Sequence, residues 1–343
     1  MATAATRATL ATALLGALAV ADGCDRPLTI MGFSGATMGT SYDVLVETDG
    51  GAEDTVGLGA LIARELAGVN RVMSTYDTAS DVSRFGRYAG TAPVAVDPTL
   101  VEILQVALEI CRRSSGAFDP TIAPLVDAWG FGPTDVPPPD SARVAALREL
   151  VGCEGLAVDP ARGTIAKSRP GIRIDLSGIA KGFAADRIGR ALSELGYGSA
   201  LVDVGGELRA VGSHVDGRPW RVALEGPGET SPGVLGTIDL VDEAIATSGD
   251  FRDYYEYEGV VYAHIIDPET GYPIRYRGFA VSVVHPDGAM ADAWATALTV
   301  LGPEAGFELA RREGLAAAFT WRTPEGVVSR ATSALEGRVR RVE

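Results

Sequence analysis

Between Ala200 and His285 the chain reads as a series of short apolar-rich runs, each closed by glycine, proline or acidic turn residues. Ala200–Val204, Leu208–Ser213, Trp220–Leu224, Gly236–Leu240, Ala244–Ser248, Tyr254–Tyr257, Val260–Ile266 and Val281–His285 are predicted strands. A long helix follows over Ala289–Leu301. Earlier in the chain, Thr40–Thr48 alternates as a strand, and the two short runs Leu156–Val158 and Thr164–Lys167 flank D-P-A-R-G as a hairpin. Val56–Met73, Leu100–Ser114, Asp140–Leu150 and Lys181–Leu195 carry helical spacing, and the glycine- and proline-rich stretch after Trp129 reads as a loop or lid. Short antiparallel strands interrupted by single helices indicate an α+β fold, not a parallel doubly wound sheet. Neither G-x-G-x-x-G nor G-x-x-x-x-G-K-[ST] occurs, so dinucleotide-fingerprint and P-loop readings fail.

The length of 343 residues allows one large domain or two intimate halves. With a formal net charge of -15 and no Lys/Arg run, the chain lacks a nucleic-acid footprint. An acidic protein that takes an anionic ligand must build local positive potential from a metal ion, a lysine or helix N-termini.

Residues 1–23 read as a signal peptide, with one Arg ahead of the apolar run Ala8–Val20, which is too short to span a bilayer. Two endings compete: Ala19-Val20-Ala21 as a cleavage site, and Gly23-Cys24 as a lipobox whose product is lipidated at Cys24. The expectation is an exported chain, an inner-membrane lipoprotein facing the periplasm or else a soluble periplasmic protein. Residues 24–34 are expected to be a linker and 35–335 the folded domain. Cys111 and Cys153 are expected to be two isolated buried thiols, and no zinc-type spacing is present.

Four constellations can carry chemistry. In I-D-L-S-G-I-A-K-G-F-A-A-D-R (174–187), a strand through Ile172 and Ile174 feeds a glycine turn and a helix N-terminus, whose free N–H groups suit a phosphate. Lys181 falls in the first turn, where a cation opposes the helix dipole, so an anion nearby would explain it. In M-A-D-A-W-A-T-A-L-T-V-L-G (290–302), Asp292 and Thr296 stand at i and i+4; the pair is either two oxygen ligands for a divalent ion or a carboxylate on a solvent face. His264 lies in an aromatic strand region ahead of the turn Asp267-Pro268; it is an acid/base candidate or a structural histidine. Tyr76 and Phe118 sit in hydroxyl-rich loops, where they can stack on a planar ring or close a core edge.

Taken in order, T-M-G-T-S-Y, M-S-T-Y-D-T-A-S-D-V-S-R-F, G-A-F-D-P-T-I-A-P-L, I-D-L-S-G-I-A-K-G-F-A-A-D, L-V-D-V-G-G-E, S-G-D-F-R, H-I-I-D-P-E-T-G-Y-P and A-D-A-W-A-T-A-L-T-V-L-G resemble the ApbE family of FAD:protein FMN transferases. The resemblance implies a T-fold-like α+β architecture of antiparallel sheets and packed helices, with a ligand cleft between two halves. It implies FAD contacts at Met38, Tyr76, Ala117, Phe118, Asp119, Asp175, Lys181 and Ile266. It places a Mg²⁺ site on Asp292, Thr296 and the Gly178 carbonyl, and catalytic roles on His264, Asp175 and Lys181. The implied reaction attaches FMN through its phosphate to a Thr or Ser of an exported acceptor protein and releases AMP. Acceptors of this kind include redox-pump subunits with an S-G-A-T-like sequence. A Mg²⁺-dependent FAD pyrophosphatase or a non-catalytic flavin-binding lipoprotein is the alternative. Ser34-Gly35-Ala36-Thr37 itself looks like such an acceptor sequence, but its continuation into Met38 reads as the start of the donor site.

Overall fold

Eight strands pair into one sheet, antiparallel at every junction, in the order β1 (Thr29–Thr37), β2 (Thr40–Thr48), β6 (Ala200–Val204), β7 (Glu207–Val211), β10 (Ala244–Gly249), β13 (Phe279–His285), β14 (Ala316–Thr323) and β15 (Gly326–Ala331). A second sheet holds β8 (Trp220–Gly226), β9 (Gly233–Leu240) and β16 (Val339–Arg341). A third holds β3 (Val94–Ala95), β4 (Leu156–Asp159) and β5 (Thr164–Lys167), and a separate ribbon holds β11 (Tyr254–Tyr257) and β12 (Val260–Ala263). The helices are α1 (Thr55–Met73), α2 (Asp81–Arg87), α3 (Pro98–Arg113), α4 (Ala123–Ala128), α5 (Ser141–Arg148), α6 (Ala180–Glu194) and α7 (Gly288–Arg312). This computed structural model describes residues 29–48, 55–132, 136–226, 233–249, 254–276 and 278–341. The expected signal peptide 1–23 and Cys24 lie outside those residues, as do residues 250–252 of the S-G-D-F-R block.

The large sheet is covered on both faces, and the period-2 alternation of its strands shows how. On one face Ala246, Val281 and Val283 join the main core with Phe183 of α6 and Trp294 of α7. On the other, the intervening Ile245 and Val284 pack with Trp220, Val222 and Ile238 of the second sheet. Two covered faces explain why β13 reads as a nearly continuous apolar run, F-A-V-S-V-V. Helix α1 turns Leu58, Leu61, Ile62, Leu66, Val69 and Val72 into the core, which is the spacing that predicted it. Helix α3 begins at Pro98 behind an Asp97 cap that accepts from the Thr99 N–H at 2.9 Å.

Several local expectations change. Residues Thr29–Ser34, expected as linker, belong to β1, and F-S-G-A-T-M-G-T-S-Y is a β-hairpin. Its turn is Met38-Gly39, with φ of 49° and 74°, the double positive φ that a two-residue hairpin turn demands. The segment around Ile172 and Ile174 is not a strand; it makes one isolated parallel bridge, Arg173 to Ile122. β12 ends at Ala263, so His264 lies just past the strand. Helix α7 breaks at Gly302 (φ 80°) before Pro303, then continues to Arg312. Helix α2 and strands β14, β15 and β16 add elements beyond those expected from the sequence.

Cys111 and Cys153 are not isolated thiols; they form a disulfide that ties the end of α3 to a single 3-10 turn at Cys153–Gly155. The bond closes a separation of 42 residues, for which chain entropy gives about 4 kcal/mol, with typical measured effects of about 2–4 kcal/mol. The double variant Cys111→Ser/Cys153→Ser is expected to lose that amount in urea unfolding. An unchanged midpoint would show that the bond constrains nothing in the unfolded chain.

Candidate functional site

Helices α6 and α7 approach each other through glycine. A Cβ on Gly182 would lie 2.1 Å from the Gly288 carbonyl oxygen, and one on Gly288 would lie 2.8 Å from the Gly182 carbonyl oxygen. Only hydrogen at both positions permits this distance. The close approach lets Asp292 on α7 reach the N-terminus of α6. Its Oδ2 accepts from the Gly182 N–H at 3.0 Å, and the carboxylate also accepts from the Lys181 N–H. The residue before α6, Ile179, supplies no side-chain cap, so Asp292 does what a local cap would do. Asp292 is therefore buried, not on a solvent face, at 4% exposure. Burial raises its pKa, against the Lys181 charge and the two N–H donors.

Thr296 stands one turn beyond Asp292 on the same face of α7. Its Oγ1 lies 3.4 Å from the Gly178 carbonyl oxygen. A Cβ on Gly178 would meet Thr296 Oγ1 at 3.0 Å and the Phe118 ring at 3.3 Å, so a larger residue here would push both side chains aside. A carboxylate, a hydroxyl and a backbone carbonyl thus border the segment from Gly178 to Gly182. All are hard oxygen donors, the set that suits Mg²⁺ and not a soft metal.

The anion beside Lys181 is Glu207 of β7. Lys181 Nζ lies 2.7 Å from Glu207 Oε1, and Glu207 is 2% exposed. Glu207 closes the quoted block L-V-D-V-G-G-E, but sequence reasoning assigned it no role; its place in that block was the available signal. The Lys181 stem runs past Thr40 and Gly205, whose added Cβ would lie 2.8 Å from Thr40 Cγ2 and 3.0 Å from Lys181 Cδ. Gly205 thus lies between Lys181 and Thr40, the first residue after the Met38-Gly39 turn, and Met38 is packed at the margin of the main core. The N–H groups of Lys181 and Gly182, expected to be free for a phosphate, are bonded to Asp292.

Asp119 and Asp175 build two matching turns. Asp119 Oδ1 accepts from the Thr121 N–H at 2.8 Å and its hydroxyl at 2.6 Å; Asp175 Oδ1 accepts from the Ser177 N–H at 2.8 Å and its hydroxyl at 2.6 Å. The turns are joined by the Asp175 N–H donating to the Pro120 carbonyl at 2.9 Å. Burial raises both carboxyl pKa values, helped by Glu154 at Asp119 and by Asp127 at Asp175, while the turn donors oppose it. Ala117 and Phe118, just before, are buried. The sulfurs of Cys111 and Cys153 and the Asp119 carboxylate lie within 4.8 Å of one another; the disulfide removes the thiolates a metal would need there.

Tyr76, His264 and Ile266 gather elsewhere, around the loop after Trp129. Tyr76 is 67% exposed and donates its hydroxyl to the Phe131 carbonyl at 3.1 Å. The Phe131 ring sits 5.1 Å from Tyr255 and meets His264 edge-on at 6.5 Å. Tyr255 donates to the Trp129 carbonyl at 2.8 Å, and Ile266 is packed with Leu125, Trp129 and Val144. The structure thus brings Gly178, Lys181, Asp292 and Thr296 together, sets Phe118 beside them, and gives His264 to an aromatic cluster.

The family model described as "ApbE family" matches residues 38–319. The chain belongs to the ApbE family. Among ApbE relatives, a protein of Vibrio cholerae named FAD:protein FMN transferase is 38% identical over 325 residues, covering 94% of this chain and 96% of that one. A protein of the same name from Escherichia coli is 34% identical over 336 residues, covering 91% and 95%. The solved flavin transferase ApbE from Vibrio cholerae superposes with a TM-score of 0.82 at 36% identity, covering 90% of this chain and 99% of that one. The apo form of the Pseudomonas stutzeri flavinyl transferase ApbE gives a TM-score of 0.82 at 34% identity, covering 91% and 97%. The expected α+β ApbE architecture with antiparallel sheets is thus the observed one.

Proposed function

We propose that this chain is an FAD:protein FMN transferase that acts with Mg²⁺ and releases AMP. The observation that carries the reading is the juxtaposition of Asp292, Thr296 and the Gly178 carbonyl with Lys181 at the α6–α7 junction. Those three oxygens would hold Mg²⁺, which when bound supplies charge neutralisation at a pyrophosphate. Lys181, paired with Glu207 at 2.7 Å, would bring an ammonium beside Asp292. The acceptor hydroxyl oxygen attacks the phosphorus on the FMN side; the bridging P–O bond breaks, and AMP leaves with the bridging oxygen. The hydroxyl proton goes to a base. Asp119 and Asp175, each with Oδ1 engaged in its own turn, and His264, half-buried beside Phe131, are the candidates for that role. Met38, Tyr76, Ala117, Phe118 and Ile266 are assigned to the flavin and nucleotide parts of FAD.

The acceptor is another protein, with an S-G-A-T-like segment. The chain's own Thr37 is a poor acceptor, because it is 8% exposed and its hydroxyl accepts from Asn70 Nδ2 at 3.1 Å. Export belongs to the same reading: the Cys111–Cys153 disulfide is the kind of bond that persists in oxidising compartments. An exported chain with Gly23-Cys24 after its apolar run would carry a lipid on Cys24, which intact mass of the membrane-fraction protein checks. The central experiment incubates the protein with FAD, Mg²⁺ and an S-G-A-T-bearing acceptor. The expected result is an acceptor that gains the mass of FMN, with AMP released in equal amount. AMP without acceptor modification would make the protein a pyrophosphatase, and neither product would make it a flavin-binding protein.

A further inference from the structure

Asp186 is buried, carries charge-bearing neighbours, and has no part in the chemistry above. It lies on α6 four residues after Gly182, as Asp292 lies on α7 four residues after Gly288. The two aspartates act reciprocally. Asp292 of α7 accepts from the N-terminus of α6, and Asp186 of α6 accepts from the N-terminus of α7. Asp186 Oδ2 takes the Gly288 N–H at 2.5 Å and the Ala289 N–H at 3.1 Å. Arg209 of β7 faces its other oxygen at 3.6 Å and also donates to the Pro286 carbonyl, so the entry into α7 is held from two sides. Asp287, the cap of α7, satisfies the Met290 N–H at 2.9 Å. Burial and the nearby Asp287 push the Asp186 carboxyl up to about 7, against Arg209 and the two N–H donors.

We propose that Asp186 is a positioning residue for the metal-binding face of α7. By fastening Gly288 and Ala289 to α6 it fixes the rotation and height of α7, and so sets Asp292 and Thr296 against Gly178. The inference rests on the reading of those three residues as a divalent-metal site. What it requires of residue 186 is an acceptor oxygen at one place, more than a charge. Asn keeps that oxygen and drops the charge; Glu keeps the charge and moves it by one methylene; Ala removes both.

The test compares Asp186→Asn, Asp186→Glu and Asp186→Ala with the wild type. Mn²⁺ binding to the purified protein is followed by EPR, transfer by kcat and KM for FAD, and folding by urea midpoint. Loss of a group that orients a metal ligand typically costs about 10–100-fold in affinity or activity. Asp186→Glu and Asp186→Ala are expected to fall by that factor in Mn²⁺ affinity and kcat, with KM for FAD little changed. Asp186→Asn is expected to stay close to wild type. If Glu rescues and Asn does not, the role is charge and the proposal is wrong. It is also wrong if Mn²⁺ binding is the same in all three, or if kcat follows only the folded fraction. Should Asp186→Ala fail to fold, the Asn–Glu order still decides. A wild type that binds Mn²⁺ but transfers no FMN sinks the transferase reading alone; one that binds no Mn²⁺ overturns this inference as well.

Discussion

Asp292→Asn is expected to fold normally and to lose about 10³-fold or more in FMN transfer, the worth of several kcal/mol of charge stabilisation at the reacting phosphate. The reason lies in the two tasks of that carboxylate. As a cap it accepts from the Gly182 and Lys181 N–H groups, which an amide oxygen can also do. As the proposed ligand it would supply the anionic oxygen of the Asp292, Thr296 and Gly178 set, which an amide cannot replace. Asp292→Ala removes both, and leaving those buried donors unsatisfied adds about 1–3 kcal/mol of destabilisation. The checks are acceptor mass and AMP release for transfer, and urea midpoints for folding. An Asn variant with wild-type turnover and unaltered Mg²⁺ dependence would take Asp292 out of the site.

Lys181→Met is expected to destabilise the protein by up to about 3–5 kcal/mol, because it takes away the ammonium that faces the buried Glu207 carboxylate. Glu207 is 2% exposed and lies 2.7 Å from the Lys181 ammonium. Removing both charges with Lys181→Met/Glu207→Leu is expected to recover most of that stability, since the buried carboxylate goes with the ammonium. Transfer is expected to stay lost, because the cation that would face the pyrophosphate is gone. Urea unfolding of the two single variants and the double variant measures the coupling. A Lys181→Met protein as stable as wild type would show that Glu207 is satisfied without its lysine.

The period of each apolar run is local information, and it carried far. The helical spacing of Leu58 through Val72 and the alternation of Thr40–Thr48 placed α1 and β2 within a residue, because each element buries a face its own pattern defines. Strand β1 escaped because it is a mostly exposed edge; of its residues only Met31 and Thr37 are buried, so no alternation marks it. Its identity comes from the ladder with β2, which is a pairing and not a pattern.

The site divides the same way. Asp292 and Thr296 stand on one helix face in any α-helix, so their pairing was legible from the i, i+4 spacing alone. That Asp292 is buried and caps another helix depends on Gly182 and Gly288 meeting across 106 positions of chain. The Lys181–Glu207 pair, the cross-cap from Asp186 and the Cys111–Cys153 bond have the same character. Local pattern is enough to say which elements form, which family motifs they carry and which oxygens share a helix face. Which charge meets which is a property of the packed chain, because burial and partnership arise when distant segments come together, and no local period encodes that distance.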